Sequence, residues 1–165
     1  QNSSKIIISA VHGACTGIAS GVAMSADLVV MSESAYMFFP FANLNLVPDG
    51  GVSYQLVKHL GYKKALEVYL NADKIPAKKC VEYGLANHVF ADDNFIGEAQ
   101  KWAEILAKKQ PLARQLGKQC MQFSLLNDLN SVIAFEANKQ IFRIIFKTFN
   151  KRFISISNNI ICFIC

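Results

Sequence analysis

Between Lys5 and Met31 the chain alternates a strand, a small-residue turn, a short helix and a second strand, and this alternation most constrains its fold. Lys5–Val11 (KIIISAV) is a β-branched run of buried-strand type that ends at His12-Gly13. Ala14–Gly17 reads as a small-residue loop. Ile18–Ala26, rich in Ala, Val and Met and apolar almost all round, predicts a buried helix. Gly21 marks a point on it where another backbone or a ligand approaches closely. Asp27–Met31 (DLVVM) returns as a strand, and Ala35–Phe39 is a candidate third. Pro40 to Pro48 is a loop, after which Asp49-Gly50-Gly51 opens a helix through about Leu60 that Gly61 ends. Helices are expected from Lys63 to Leu70, from Pro76 to Tyr83, from Asp92-Asp93 to Lys109, from Pro111 to Leu126 and from Leu129 to Phe142. Asn87–Phe90 is a short strand between them. The third of these helices repeats Phe95, Ala99, Trp102, Ala103 and Leu106 at helical spacing. Strand–helix pairs come first and helices afterwards, which is an α/β architecture with a helical C-terminal half.

The net charge of +5 would suit a nucleic-acid or membrane surface if it were spread over the chain. It is not. Residues 1–140 hold 13 basic and 12 acidic residues, while residues 141–165 hold four basic residues and no acid. Those last 25 residues also carry eight of the 16 isoleucines and five phenylalanines, with no Ala, Leu, Gly or Pro. Two readings fit this shift: an extension of different origin, or an unusual closing helix and strand. Three segments are therefore expected, 1–90, 91–140 and the basic tail 141–165. No uncharged apolar run reaches the ~18 residues of a membrane span, and no signal peptide is evident. The five cysteines form no CxxC or Cys/His metal spacing and read as buried or free thiols of a reducing cytoplasm.

Ala10-Val11-His12-Gly13-Ala14, then Gly17-Ile18, then Asp27-Leu28-Val29-Val30 resemble the central signature of the crotonase (enoyl-CoA hydratase/isomerase) superfamily. Pro40-Phe41, Leu46-Val47-Pro48-Asp49-Gly50-Gly51, Leu60-Gly61 and Ala77 to Gly84-Leu85 continue the resemblance in order, from about Lys5 to Asn138. The tail does not share it. The resemblance implies a partial spiral of ββα units, with further units expected ahead of Lys5–Val11. It also implies an acyl-CoA thioester substrate, no separate cofactor, no metal, and association in trimers or pairs of trimers. Neither nucleic acid nor membrane is expected as a partner, and a cytoplasmic location is expected.

The chemistry the resemblance implies is stabilisation of a thioester enolate by two backbone N–H groups; losing one such donor costs ~10²–10³ in rate. By motif position the Ile18 amide is one donor, with Gly17 allowing the turn that aims it and the helix start adding its positive end. The reading from residues alone is that Gly17 only permits a strand-to-helix turn. The two glutamates that a hydratase uses fall here on Gly21 and Phe41, neither of which transfers a proton. Hydration by that route is therefore not expected. Pro40 and Phe41 then line an acyl pocket, or Phe41 is plain core. Asp49 stands where isomerase branches, including the Δ3,Δ2-enoyl-CoA isomerases, place a carboxylate base. The stretch Pro40-Phe41 through Leu44 to Pro48-Asp49-Gly50 and Ser53-Tyr54 is similar to that branch. So is Gly17-Ile18 in place of a glycine triplet.

Moving a double bond needs one base that takes a proton at one carbon and returns it to another. An apolar pocket raises a carboxyl pKa towards that use. The competing reading makes Asp49 the N-cap of the helix that follows. Catalysis is thus assigned to Asp49, the oxyanion donor to Ile18, and substrate contact to Gly17, Gly21, Pro40 and Phe41. The alternative is a non-catalytic remnant that packs against complete subunits. His12, His59 and His88 lack acidic partners at metal spacing, and no phosphate loop is present. Lys63-Lys64, Lys78-Lys79 and Lys108-Lys109 read as solvated helix faces.

Overall fold

The computed structural model describes residues 3–149 and 160–164. Part of the basic tail, residues 150–159 and 165, lies outside them. Two strands precede each of the first two helices. β1 (Ile6–Val11) turns through Gly13 into β2 (Ala14–Thr16), and α1 (Ile18–Met24) follows. β3 (Leu28–Ser32) leads to β4 (Tyr36–Phe38), a 3₁₀ turn at Ala42–Leu44 and α2 (Val52–Asn71). β1 pairs parallel with β3, aligning Ile8 with Leu28 and Val11 with Met31. β2 pairs parallel with β4, aligning Ala14 with Tyr36. Each ββ step therefore lays one strand in each of two sheets, and the helix returns the chain to start the next step.

The expected loop at Ala14–Gly17 is thus corrected: three of its residues are a strand. Ala14–Thr16 has no apolar alternation to announce it, and its pairing with β4 supplies the order that its own sequence does not. β5 (Ile75–Pro76), also unforeseen, adds antiparallel to β4. α3 (Ala77–Glu82) and β6 (His88–Phe90) follow, and β6 joins β3 in parallel. The larger sheet runs β6-β3-β1-β7, with β7 at Ile160–Ile164.

α4 (Phe95–Ala107) buries Phe95, Ala99 and Ala103, three of the five residues read at helical spacing from its sequence. α5 (Pro111–Ser124) and α6 (Leu129–Phe149) complete the described chain. The glycine stops fall where expected. Gly61 (φ 71, ψ 162) breaks α2, and Gly84 (φ 73) follows α3.

The chain divides into two compact units. One is built on Ile7–Ala103 and takes in β7; the other is built on residues 104–149 with 3–6. The core of the first unit holds Ile8, Val11, Val30, Met31, Met37, Phe39 and Val52, all within 1% of full burial. Two main-chain N–H groups near the strand ends are bonded by side chains. The Asp27 carboxylate accepts the Ile7 N–H at 2.7 Å and the Asn87 side chain accepts the Val29 N–H at 2.8 Å. Cys15 and Cys80 are buried cysteines; Cys80 donates to the Ile75 carbonyl, and burial pushes its pKa up to about 12. Lys64, Lys78 and Lys79 sit on exposed faces paired with Glu67, Glu33 and Glu82. Among the described residues no helix is long and apolar enough to cross a membrane.

Candidate active site

α1 is not buried all round, as its composition suggests. Ser20, Gly21, Ala23 and Met24 are buried, whereas Ile18, Ala19 and Val22 face outward. The physical reason is helical: with 3.6 residues per turn, a seven-residue helix packed along one side can hide only that side. The apolar outer side is the first clue to the site.

Gly17 caps α1 with φ 58 and ψ −125, a conformation that an L side chain would strain. Its N–H donates to the Phe38 carbonyl at 2.8 Å, tying the turn to the end of β4. The N–H groups of a helix's first turn have no intrahelical acceptor. That of Ser20 folds back onto the Gly17 carbonyl at 3.0 Å. That of Ile18 has no acceptor among the described residues.

The Asp49-Gly50-Gly51 turn lies directly against this first turn. A Cβ added at Gly21 would come 2.8 Å from the Gly50 carbonyl oxygen and 2.9 Å from Val52 Cγ2. A Cβ at Gly50 would run into the Ile18 side chain. Ile18 and Gly21 are three apart and share a helix face. One surface of α1 therefore brings Ile18, Gly21 and the Asp49 turn together. The close approach expected at Gly21 is to backbone, and the position has no room for a glutamate.

The N-cap reading of Asp49 is corrected. Gly51 takes the cap position of α2 with no side-chain hydrogen bond. Gly50 and Gly51 are both left-handed (φ 56 and 80), so the turn presents the Asp49 main-chain carbonyl, not its carboxylate, to the Val52 N–H at 3.0 Å. The carboxylate is exposed and forms no hydrogen bond or ion pair among the described residues. Beside it in sequence, Leu44, Leu46 and Val47 expose apolar side chains.

Phe41 is only 6% exposed and belongs to the core, and a Cβ at Gly17 would stand 3.8 Å from its Cζ. Its ring therefore lies beside the Gly17 turn. Pro40, half-buried, accepts the Leu44 N–H at 3.2 Å and helps close the loop that ends at Asp49. The three histidines do not converge. Burial and the neighbouring Lys58 charge hold His59 below the usual imidazole range, His12 is exposed beside Phe95, and His88 stacks edge-on against Trp102 at 4.8 Å. Sequence reasoning missed the row of exposed apolar residues. The apolar-all-round helix carried that signal, but it was read as burial.

The arrangement can do two things chemically: offer an N–H to a developing negative oxygen, and offer a free carboxylate beside it. The chain is similar in sequence and fold to known proteins. The chain is 33% identical over 137 residues to the short-chain-enoyl-CoA hydratase of Clostridioides difficile, covering 83% of this chain and 88% of that protein. It is 33% identical over 88 residues to the Delta(3,5)-Delta(2,4)-dienoyl-CoA isomerase of Pyricularia oryzae, covering 53% of this chain and 31% of that one. A Thermobifida fusca protein, solved in complex with acetoacetyl-CoA, superposes with a TM-score of 0.80 at 27% identity. The match covers 85% of this chain and 55% of the solved one. The chain spans about half the length of several other curated relatives. These structures carry the crotonase-like α/β fold. The family model described as enoyl-CoA hydratase/isomerase matches residues 1–155, the stretch that builds both ββ steps and the Ile18–Asp49 corner. By sequence and fold, the chain belongs to the enoyl-CoA hydratase/isomerase family.

Proposed function

We propose that this chain contributes to an acyl-CoA enzyme that moves the double bond of an enoyl-CoA. The Ile18 N–H stabilises the thioester enolate, and Asp49 carries the proton between carbons. The observation that carries this reading is the packing of the Asp49-Gly50 turn onto the first turn of α1, with the carboxylate free and uncapped. As the α-carbon loses its proton, negative charge grows on the thioester oxygen; a fixed N–H already aimed there needs no reorganisation. The same carboxylate, now protonated, returns the proton at the other end of the allylic system. The exposed apolar side chains of Ile18, Leu44, Leu46 and Val47 offer an acyl chain an apolar surface.

Hydration is the rival chemistry, favoured by the name of the Clostridioides relative. It requires a second proton-transferring group on water. Gly21 cannot supply one, and its position is filled by the Gly50 carbonyl. The family match over residues 1–155 does not favour a non-catalytic remnant.

The test is incubation of the polypeptide carrying this chain with a 3-enoyl-CoA, following appearance of the conjugated 2-enoyl thioester. Asp49→Asn is expected to lower the rate by ~10²–10⁴ while leaving acyl-CoA affinity near its original value. An unchanged rate in that variant, or a 3-hydroxyacyl-CoA as the product, would defeat the reading.

A further inference from the structure

Two consecutive glycines make the Asp49 turn the least constrained main chain beside the site. Gly50 and Gly51 sit at φ 56 and 80, a region that glycine enters and leaves at little cost. Few hydrogen bonds hold them. The Leu46 N–H donates to the Phe41 carbonyl at 2.8 Å, and the next main-chain bond is the local one from the Val52 N–H to the Asp49 carbonyl at 3.0 Å. The N–H groups of Val47, Asp49 and Gly50 find no acceptor among the described residues. All three residues are exposed. A base carried on such a turn needs an anchor outside it.

That anchor is on α1. Outside its own chain neighbours, the three heavy atoms nearest the place where a Gly50 side chain would begin all belong to Ile18. They are Cγ1, then Cδ1 at 3.0 Å and Cβ at 3.4 Å. The Gly50 carbonyl oxygen lies against Gly21, 2.8 Å from where a Cβ there would stand. Gly50 is thus held twice, by the branched side chain of Ile18 and by the bare face of Gly21. The post itself is stiff. A β-branched side chain in a helix has one strongly preferred χ1 rotamer. The turn that bears it is tied to the smaller sheet, by the Gly17 N–H to the Phe38 carbonyl and by the Ser20 hydroxyl, which donates to the Cys15 carbonyl at 2.7 Å.

We infer that the Ile18 side chain is a positioning residue: seated against Gly50, it sets where the Asp49 carboxylate stands relative to the Ile18 N–H. Its consequence for rate rests on the enolate reading, whereas the seat rests on packing alone. One residue then serves both partners of the reaction, its main chain toward the thioester oxygen and its side chain toward the turn that carries the base. Such geometry matters, because a misplacement of about 1 Å can cost ~10²-fold in rate.

The experiment uses the whole polypeptide carrying this chain and follows isomerisation of a 3-enoyl-CoA. Ile18 is 55% exposed, so truncating it leaves the core intact. Ile18→Ala should lower kcat about 10- to 100-fold and change KM less than about threefold. Ile18→Val, which keeps a branched Cγ, should recover most of that loss. A fall carried by KM alone would overturn the inference, since Ile18 would then be a wall for the acyl chain and nothing more. Gly50→Ala should lower kcat by driving a methyl into Ile18, and lower it less once Ile18→Ala has made room. The strain of alanine at this backbone angle is common to both backgrounds and cancels, so strictly multiplicative losses would also overturn the inference.

A further readout needs no catalysis. Amide exchange of the Val52 N–H should quicken at least about threefold in Ile18→Ala while the amides of β1 and β3 exchange as before. Unchanged exchange at Val52 would remove the seat. If Asp49→Asn keeps its full rate, the enolate reading falls and Val52 exchange still decides the seat. If Asp49→Asn loses its rate while Ile18→Ala keeps it, the positioning role alone falls.

Discussion

The corner around Gly21 and the α5–α6 hairpin around Gly117 use the same residue type for opposite ends. At Gly21 the absence of a side chain is a requirement, because a backbone carbonyl and a valine methyl occupy the place where one would begin. At Gly117 the absence leaves a void that nothing fills. In the first region, packing determines the position of every main-chain atom near Asp49. In the second, two helices meet at an aromatic pair, Phe123 stacked on Phe135 at 4.2 Å. A glycine is therefore informative only together with what surrounds it. Helix propensity alone ranks both positions as equally unfavourable.

That contrast can be broken by substitution. Gly21→Ala should cause the larger change, a loss of about 1–3 kcal/mol in urea denaturation, since neither the Gly50 carbonyl nor Val52 can yield without moving the turn. A neutral outcome would mean that α1 and the Asp49 turn slide freely, and the tight-corner view would fail. Gly117→Ala should have the opposite sign and raise stability by about 0.5–1 kcal/mol, because it adds helix propensity into open space. If both substitutions destabilise equally, the two regions do not differ as described.

The smallest effect concerns the start of α6. The Asp128 carboxylate accepts N–H bonds from Asn130 at 3.0 Å and Ser131 at 3.1 Å, and the Ser131 hydroxyl at 2.6 Å. The Ser131 contacts, the hydroxyl first, hold its carboxyl below the usual range. A lowered folded-state pKa gives stability that is present above the unfolded value, ~3.9, and is lost as pH falls through the folded one. Asp128→Asn should therefore lower the melting temperature slightly at neutral pH and flatten its decline below pH ~4. An unaltered acid limb would show that the cap contributes nothing to the hairpin.

Much of this fold was legible from local chemistry. β1, β3 and β6 are β-branched or apolar runs, and Gly61 and Gly84 stop helices where their left-handed backbones demand it. β2 and β5 were not legible. Strands of three and two residues carry no periodicity, and both exist through pairing with β4. At the site, the close approach at Gly21 could be read from its neighbours, but its partner, some thirty residues away, could not. Asp49 was readable as a candidate and ambiguous in role. The choice between a capping and a free carboxylate depended on two consecutive left-handed glycines, and sequence spacing does not record dihedral angles. The outward side of α1 was hidden for a plainer reason. Apolar composition states what a surface is made of and leaves open what covers it.

The thiols have a further consequence. Cys15 and Cys80 lie buried in one compact unit and the half-buried Cys120 in the other. A thiolate is the species that alkylates, so Cys80, with its pKa near 12, reacts only when its surroundings open. Each unit thus contains its own clock. The alkylation rates of individual peptides would time the breathing of the sheet unit separately from that of the hairpin, with no label added to the chain.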